Sequence, residues 1–356
     1  MKKVIFLLFT ISCFSFSNKL FAGNNNDKTF AVRALYLSDN AVADSLTVKH
    51  FIALAKKSSV NTYVINIKGT DGLVNYESKI EAVRKVKAYT PQFNISSVIK
   101  QFHQNHIRVI GRLVCFNDTY LAQQKPEWAI KNAKGEMYIT TGGESWVNPM
   151  NKEVWKYLID IAKEGLAKGF DEIQFDYVRF PTDGNVKELD YGNNPPEKFV
   201  VIDNFLAYAR AQMPKAILSA DVFGIICESP NDIQNIGQNL EYVGRNLNYI
   251  SPMTYPSLYA KGQIVNDIAF AKPDLEPYAV VYNSLLRANN RIAKVKAYRA
   301  KIRPYLQAYT ASWLSKEDYQ PYGAEQIKQQ IKAAHDAGCN QWIFWNDEGI
   351  YPEDAF

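Results

Sequence analysis

Histidine is scarce in this chain, with four residues among 356. Metal-dependent hydrolase barrels bind their ions through imidazole ligands at strand ends, and a Ser-His-Asp triad needs a histidine as its base. All four histidines fall instead on stretches with a helical pattern: His50, His103, His106 and His335. The sequence therefore argues against a metal site and against a serine triad, and it leaves carboxylates, lysine, arginine, tyrosine and backbone groups as reagents.

Cysteine is equally scarce. Cys13 lies in an N-terminal apolar run, and Cys115, Cys227 and Cys339 are more than 100 residues apart from one another. Three cysteines permit at most one disulfide, which excludes a disulfide scaffold. Structural zinc sites place pairs of ligands only a few residues apart, so this spacing also excludes a zinc module.

The chain also has no large excess of positive or negative charge. The formal charge is +5, from 41 basic and 36 acidic residues. It falls to +2 when the first 22 residues are removed, because Lys2, Lys3 and Lys19 are lost with them. No cluster of basic residues interleaved with aromatics is present, so we expect no nucleic-acid partner.

One long apolar run occurs, at the N-terminus. MKK supplies positive charge, VIFLLFTISCFSF is apolar, and LFA before Gly23 has the form of a cleavage site. The run is too short to span a bilayer comfortably, and the polar GNNNDK follows it. We predict a cleaved signal peptide over residues 1–22, no stable membrane insertion after cleavage, and a periplasmic or secreted protein. Lipid attachment at Cys13 is less favoured, since TIS before it lacks the usual leading leucine.

Eight short apolar runs recur along the remaining chain, each followed by a loop and then a helical pattern. They are VRALYLS (32–38), TYVINIK (62–68), RVIGRLV (108–114), EIQFDYV (172–178), AILSADVFG (216–224), YISPMTY (249–255), RPYLQAYT (303–310) and QWIFWND (341–347). Strands that are apolar throughout and alternate with amphipathic helices indicate a parallel sheet covered on its outer face.

Eight such units without a linker predict a single-domain α/β fold, a (β/α)8 TIM barrel, over residues 23–356. A doubly wound open sheet is the alternative, although no Gly-rich fingerprint follows the first strand. The chain ends soon after the eighth run, so the final helix should be short or missing. The loop after the third strand, about 115–150, is unusually long, and long loops at this end of barrel strands are usually functional.

Polar side chains follow most of the predicted strands, at the barrel end where chemistry is located. They are Ser38, Asp39, Lys68, Asp71, Arg112, Asn117, Asp118, Asp176, Tyr177, Arg179, Asp221, Glu228, Gln307, Tyr309, Trp345, Asn346 and Asp347. Acids, arginines and aromatics on one rim are typical of a sugar site, because glycosidic cleavage uses two carboxyl groups. Aromatic rings such as Trp146, Tyr255 and Trp345 can cover the apolar faces of sugars.

Asp176 is the candidate ionised carboxylate, because Arg179 nearby would lower its pKa. Asp221, on an otherwise apolar strand, suits a general acid whose pKa is raised by desolvation, and Glu228 is a second candidate for that role. Structural ion pairs or caps are the alternative roles for these acids. Strand alternation adds a condition: if Asp176 faces the barrel axis, Phe175 and Tyr177 must face the helices.

Lys68 raises a different hypothesis. A lysine at a strand end in an apolar barrel could form a Schiff base with a carbonyl substrate, as lyases do. A structural pairing of Lys68 with Asp71 or Asp39 is the favoured interpretation.

The long stretch WVNPMNKEVWKYLIDIAKEGLAKGFDEIQFDYVRFPTDG resembles the signature of the bacterial "putative glycoside hydrolase domain" family, which is distantly similar to α-amylase-like barrels. INIKGTDGLVNY, GRLVCFND, SADVFG, IGQNLEYV, YISPMTYPSLY and QWIFWN match the same pattern in order. The resemblance covers about residues 30 to 350.

The resemblance implies a nucleophilic aspartate at the end of strand four, a place that Asp176 occupies. In amylase-like barrels the acid is a glutamate after strand five, whereas this sequence has Asp221 on the strand and Glu228 seven residues later. Those barrels also carry a histidine near the end of strand seven, and RPYLQAYT has none. Substrate contacts need not therefore be amylase-like.

We expect an exported barrel that hydrolyses glycosidic bonds in a polysaccharide or cell-envelope glycan, without a metal or organic cofactor. Asp176 would act as nucleophile or stabiliser and Asp221 or Glu228 as acid/base. Lys68, Asp71, Arg112, Trp146, Arg179, Tyr255, Trp345 and Asn346 would contact the sugar. The competing hypothesis is a carbohydrate-binding barrel without catalysis.

Overall fold

The computed structural model describes residues 30–91 and 93–356, and Val32–Phe356 form one compact unit. Within this unit eight parallel strands close into a barrel. They are β1 (Arg33–Tyr36), β2 (Thr62–Lys68), β3 (Arg108–Val114), β4 (Glu172–Asp176), β5 (Leu218–Phe223), β6 (Tyr249–Met253), β7 (Lys301–Ile302 and Tyr305–Gln307) and β8 (Trp342–Trp345).

The strands pair in chain order around the barrel. The ring closes where β8 pairs with β1, with Trp342 opposite Arg33. All eight predicted strands are present, so the (β/α)8 barrel is confirmed and the open doubly wound sheet is excluded. The seventh strand is divided at Arg303 and Pro304, since proline has no N–H to donate to a ladder.

Ten α-helices surround this barrel in the described residues. They are α1 (Asp39–Ala43), α2 (Ser45–Lys57), α3 (Glu81–Lys85), α4 (Ile95–Gln104), α5 (Thr119–Gln124), α6 (Lys152–Lys168), α7 (Lys198–Gln212), α8 (Leu240–Val243), α9 (Pro277–Ile292) and α10 (Ala324–Asp336). Short 3-10 turns cover Val186–Glu188, Gly224–Cys227, Pro256–Leu258, Pro273–Leu275 and Glu353–Ala355. The last of these is the only helical element described after β8, as predicted.

Two short antiparallel strand pairs lie in the loops. The long loop after β3 contains α5 and a strand, Lys131–Asn132, which pairs with Leu189–Asp190 in the loop after β4. After β6 a hairpin forms from Gln263–Val265 and Ile268–Phe270. The sequence did not predict the hairpin, because its two strands are only three residues long.

The chain enters β4 from a tightly ended helix. Gly169 follows α6 with a φ of 115°, a left-handed conformation that a side chain would strain. His103 contacts Asp171 at 2.9 Å, and this hydrogen bond raises the pKa of His103. His106 lies in the turn after α4 with a φ of 61°, so the prediction that it sits on a helix was wrong.

The barrel interior is polar, in layers set by strand alternation. At the N-terminal end of the strands Glu172 forms an ion pair with Arg303, and both side chains are almost fully buried. Above them Tyr305 donates to Gln174 at 3.2 Å. Phe175 points the other way and packs against Phe205 of α7 at 5.6 Å between ring centroids. Asp176 follows on the inner side, so Phe175 and Asp176 face opposite ways, as alternation requires.

Several remaining expectations concern the chain as a whole. Cys115, Cys227 and Cys339 are all buried and free, with no disulfide among them. Within the described ranges, no helix is long and apolar enough to cross a membrane. The predicted signal peptide, with Cys13, lies outside the described residues.

Candidate active site

A cavity of about 570 Å³ opens at the C-terminal ends of the barrel strands. Six of the predicted site residues line it: Arg112, Asp176, Arg179, Asp221, Tyr255 and Trp345. Their strands are β3 to β6 and β8, which the barrel closure brings to one rim. This is the end at which barrel enzymes carry their chemistry.

Asp176 forms a buried ion pair with Arg112. The Arg112 Nε and Nη2 atoms lie 2.8 and 2.5 Å from Asp176 Oδ2. The backbone N–H of Tyr177 donates to Asp176 Oδ1 at 2.6 Å. Arg179 makes no ion pair with Asp176, so the predicted partner was wrong. The inward face of β3 supplies the charge instead.

Asp221, by contrast, forms no ion pair in the described structure. Its side chain is 2% exposed, and Oδ1 has no hydrogen-bond partner in the described structure. Burial raises the pKa of Asp221 well above its usual value, and the negative charge of Asp176 raises it further. A raised pKa favours the protonated form of the carboxyl group, which can donate a proton.

The two carboxyl groups belong to neighbouring strands. Phe175 of β4 pairs with Ala220 of β5, and Asp176 and Asp221 are the residues that follow this pair. Adjacent strands lie about 4.8 Å apart. Asp176 and Asp221 are therefore side by side on the inner rim.

Arg112 is fixed by contacts on several sides besides Asp176. Its Nη1 donates to Asn66 Oδ1 at 2.9 Å, and its guanidinium carbon lies 5.2 Å from the Trp345 ring and 5.8 Å from the Tyr36 ring. Tyr36 and Trp345 stack with their centroids 4.0 Å apart. Arg112 thus pairs with Asp176 and also forms part of the cavity wall.

Tyr177 takes a backbone conformation that alternation does not predict. Its φ is 48°, which is uncommon for a residue with a side chain, and β4 ends at Asp176. The turn brings Tyr177 into the cavity wall rather than toward the helices. The prediction that Tyr177 faces the helices was therefore wrong. Such strained residues cluster at functional sites.

Arg179 lies among aromatic rings. Its guanidinium carbon is 4.5 Å from the Phe223 ring, 4.8 Å from Trp146 and 5.3 Å from Tyr177. Trp146 is 2% exposed and does not line the cavity. Trp146 therefore supports Arg179 from behind, and it is not placed to cover a sugar ring itself.

Lys68 does not reach the cavity. Its amine is 2.8 Å from Asp118 Oδ2 and donates to the Val114 carbonyl at 2.9 Å, and neither charged side chain has any exposed surface. The expected partners, Asp71 and Asp39, are not the ones observed. A buried, paired ammonium is poorly placed to attack a carbonyl, so nothing in this geometry favours a Schiff base.

Glu228 also lies away from the cavity lining. Its Oε2 accepts from the backbone N–H of Asn266, the residue at the tip of the hairpin, at 3.0 Å. Arg287 of α9 approaches the same oxygen at 3.9 Å. Glu228 therefore ties the hairpin to the barrel, and that hairpin places Gln263 in the cavity wall.

The other predicted residues have structural contacts. Asp71 is exposed and accepts from the Leu73 N–H at 3.0 Å. Asn346 donates to the carbonyls of Ala308 and Ile350, both at 2.8 Å. Besides Asp71 and Asn346, seven strand-end residues stay out of the cavity lining: Ser38, Asp39, Asn117, Asp118, Gln307, Tyr309 and Asp347.

Sequence reasoning missed part of the cavity wall. Tyr305 lies on β7 two residues before the predicted Gln307, so alternation could have found it. Gln238 lies in IGQNLEYV and accepts from the Phe223 N–H at 2.9 Å. Met253 and Tyr259 lie in YISPMTYPSLY, whereas Gln263 comes from a segment that carried no such signal.

No group of three or more histidine, cysteine, aspartate or glutamate side chains in the described part of the chain is arranged to hold a metal ion. The cavity offers one carboxyl group paired with a guanidinium and one buried carboxyl group with a raised pKa, beside a second guanidinium and aromatic rings.

Comparison with known proteins adds three findings about sequence and fold. A model of the family described as "Putative glycosyl hydrolase domain" matches residues 34–351. A hypothetical protein from Ruminiclostridium thermocellum is 47% identical, over 53% of this chain and 97% of that one, with a TM-score of 0.50. A comparison with curated proteins gave no match.

Two more distant structures share the fold alone. The PgaB (BpsB) glycoside hydrolase domain from Bordetella bronchiseptica is 13% identical, covers 90% of this chain and 95% of its own, and has a TM-score of 0.60. The spore cortex-lytic enzyme SleL from Bacillus cereus is 11% identical, with coverage of 91% and 73% and a TM-score of 0.54. The family match spans nearly the whole barrel, so the chain belongs to the "Putative glycosyl hydrolase domain" family, as the sequence resemblance predicts, and its function is glycosidase-like.

Proposed function

We propose that this protein hydrolyses glycosidic bonds by a two-carboxylate mechanism, with Asp176 as nucleophile and Asp221 as acid/base. One observation carries the proposal: two inward-facing carboxyl groups at neighbouring strand ends have opposite surroundings. Asp176 is paired with Arg112, and Asp221 is buried and unpaired. Pairs of acids whose environments separate their pKa values are typical of acid/base assignments.

In the first step a carboxylate oxygen of Asp176 attacks the anomeric carbon as the glycosidic C–O bond breaks. The Asp221 proton passes to the leaving oxygen, and a glycosyl ester of Asp176 remains. Asp221, now ionised, removes a proton from water, and the resulting oxygen nucleophile displaces Asp176 from the sugar. The cycle ends with Asp176 ionised and Asp221 protonated, as at the start.

The strand register supports retention of the anomeric configuration. Retaining glycosidases hold their carboxyl groups about 5–5.5 Å apart, whereas inverting enzymes need about 6.5–9.5 Å to admit a water molecule. Inward-facing side chains that directly follow a paired position on adjacent strands fit the shorter separation. We therefore propose a double displacement.

The cavity walls support a saccharide as the substrate. Tyr255, Tyr305 and Trp345 present aromatic surface, and Gln238 and Gln263 offer amide groups for hydroxyls. The N-terminal sequence pattern supports export, so a polysaccharide or a cell-envelope glycan in the periplasm or outside the cell is the proposed target. Neither a metal ion nor an organic cofactor takes part in the proposed steps.

The test is release of reducing ends from a panel of envelope and storage glycans. The Asp176→Asn variant should lose turnover at least ~1,000-fold while it keeps its fold, measured by circular dichroism, and its glycan binding. Glu228→Gln, which changes an acid outside the cavity, is the matched control and should retain activity. A proton NMR spectrum of the first-formed anomer would decide between retention and inversion.

Three results would count against the proposal. No release from any glycan, with binding retained, would favour the carbohydrate-binding barrel. Loss of folding in Asp176→Asn would make Asp176 structural. Full activity in Asp221→Asn together with loss in Glu228→Gln would transfer the acid role to Glu228.

A further inference from the structure

Three arginines of the described chain are at least nine-tenths buried: Arg112, Arg179 and Arg303. Arg112 pairs with Asp176 and Arg303 with Glu172. Arg179 is 8% exposed, and no carboxylate of the described residues lies within 4.0 Å of it. Burial without a counter-charge is costly for a cation, so Arg179 differs in kind from the other two.

The hydrogen bonds of Arg179 are also incomplete. Its Nη1 donates to the Phe180 carbonyl at 2.9 Å, the one hydrogen bond that the guanidinium makes in the described structure. A guanidinium has five N–H donors. Arg303 Nε is fully buried and has no hydrogen-bond partner, whereas no nitrogen of Arg179 is in that position. Arg179 also lines the cavity. The remaining donors are therefore open to the cavity.

Three aromatic rings hold the guanidinium. Phe223, Trp146 and Tyr177 lie 4.5, 4.8 and 5.3 Å from its central carbon. Rings against a guanidinium restrict its orientation, and in the described structure Arg179 donates no hydrogen bond to the Tyr177 hydroxyl. The side chain is thus preorganised, and its charge is not neutralised.

The charges of the residues that line the cavity also leave Arg179 without a counter-charge. Its lining contains two arginines and two aspartates, and Asp221 is neutral when it holds the proton that the mechanism needs. Arg112 and Asp176 cancel, which leaves one positive charge. The acid Glu144 acts on Arg179 from a distance, but it is exposed and accepts from Asn117 at 3.3 Å.

We propose that the substrate carries a carboxylate, as an acidic sugar residue does, and that Arg179 binds it inside the cavity. The planar fork of a guanidinium matches the two oxygens of a carboxylate, and a lysine cannot reproduce this geometry. Tyr177 contacts both Arg179 and Asp176, so the acidic group lies near the bond that is cleaved. The inference rests on the proposed glycosidase function, whose substrate class it narrows from glycans in general to acidic ones.

The experiment compares matched ligands. Oligosaccharides of glucuronate, galacturonate and mannuronate are each paired with their carboxyl-reduced forms, which keep the linkage and lose the charge. Binding to the full chain is measured by isothermal titration calorimetry. At least one acidic oligosaccharide should bind about tenfold or more tightly than its neutral partner, the range expected for hydrogen bonds to a charged group. A sulfated oligosaccharide tests the other common anion.

The variants assign that preference to Arg179. In Arg179→Gln the tenfold preference should disappear, and in Arg179→Lys it should fall to an intermediate value. Arg245 lies 3.7 Å from the Tyr242 ring outside the cavity, so Arg245→Gln removes a ring-bound arginine elsewhere and should change nothing. The ligand comparison on the unmodified chain needs no variant, so it decides the question even where Arg179→Gln does not fold.

Four results would overturn the proposal: equal or tighter binding of the neutral partners, binding of no acidic oligosaccharide, survival of the preference in Arg179→Gln, or tighter binding of the sulfated ligand than of any carboxylate. Failure of the proposed function has a different signature. If acidic glycans bind through Arg179 and none is cleaved, catalysis fails and the binding inference stands. If neutral glycans are cleaved without Arg179, the inference alone fails.

Discussion

Replacing Asp221 with asparagine should make the protein more stable and catalytically inactive. In the unfolded chain an aspartate has a pKa of about 3.9. Burial and the Asp176 charge raise the pKa of Asp221 in the fold. Between these two pKa values the folded state holds a proton that the unfolded state has released. The free energy of unfolding of the wild type therefore falls as the pH rises through this window.

The slope follows from a single proton. It is about 1.4 kcal/mol per pH unit, and it ends where the pH passes the raised pKa of Asp221. Asparagine cannot ionise, so Asp221→Asn lacks this loss. The two proteins should have similar stabilities below about pH 3, where the aspartate is neutral in the folded and the unfolded chain. Above the pKa of the unfolded aspartate the variant should gain about 1.4 kcal/mol per unit over the wild type.

Urea unfolding at a series of pH values measures this difference. When Asp176→Asn is also present, the stability difference should stop growing at a lower pH, because the Asp176 charge no longer raises the pKa of Asp221. Asp44→Asn is a control of opposite sign. Hydrogen bonds from Thr47 lower the pKa of Asp44, so its contribution to stability is lost as the pH falls.

Activity supplies the second half of the prediction. Asp221→Asn should lose turnover of natural glycans but retain more activity on aryl glycosides with acidic phenol leaving groups, which need little protonation. A stability difference that does not change with pH would show that Asp221 is ionised throughout. That result would refute its role as the proton donor.

Two further substitutions test the fold. Glu172→Gln should destabilise the protein by about 3–5 kcal/mol in urea unfolding, because Arg303 would remain buried without its partner; a loss below about 1 kcal/mol would mean that the pair is solvated. Gly111→Ala should cost about 1–3 kcal/mol, since an added Cβ would lie 2.4 Å from Ile67 Cδ1, whereas Gly142→Ala in a loop with space around it should be nearly neutral. Equal effects at the two glycines would contradict the packing of β3.

Much of the barrel could be predicted from the sequence because each strand is a short apolar run bounded by turn residues. The runs TYVINIK and RVIGRLV became β2 and β3 without any change of bounds. Alternation also required that Phe175 face the helices if Asp176 faces the barrel axis, and Phe175 packs against Phe205 of α7. These features depend on local pattern and on the closure of eight similar units.

The pairing of side chains could not be predicted in the same way. Arg179 is close to Asp176 in sequence, but the counter-charge comes from Arg112, 64 residues away. Lys68 likewise pairs with Asp118 of a loop whose path the sequence leaves open. A left-handed φ at Tyr177 reversed the expected direction of one aromatic ring. Partner choice depends on where the loops travel, and local periodicity says little about that.

The hairpin after β6 contributes to the shape of the cavity but carries neither of its two carboxyl groups. Gln263 and Tyr259 reach the cavity from a contiguous segment, 259–270, that Glu228 and Arg287 clamp from outside. Both carboxyl groups, by contrast, stand on barrel strands that this segment does not form. A graft of a different hairpin between Leu258 and Ala271 would therefore alter which glycans fit while the reacting groups stay in place. The part of the cavity wall that comes from this segment can therefore change without a change in Asp176, Asp221 or Arg179.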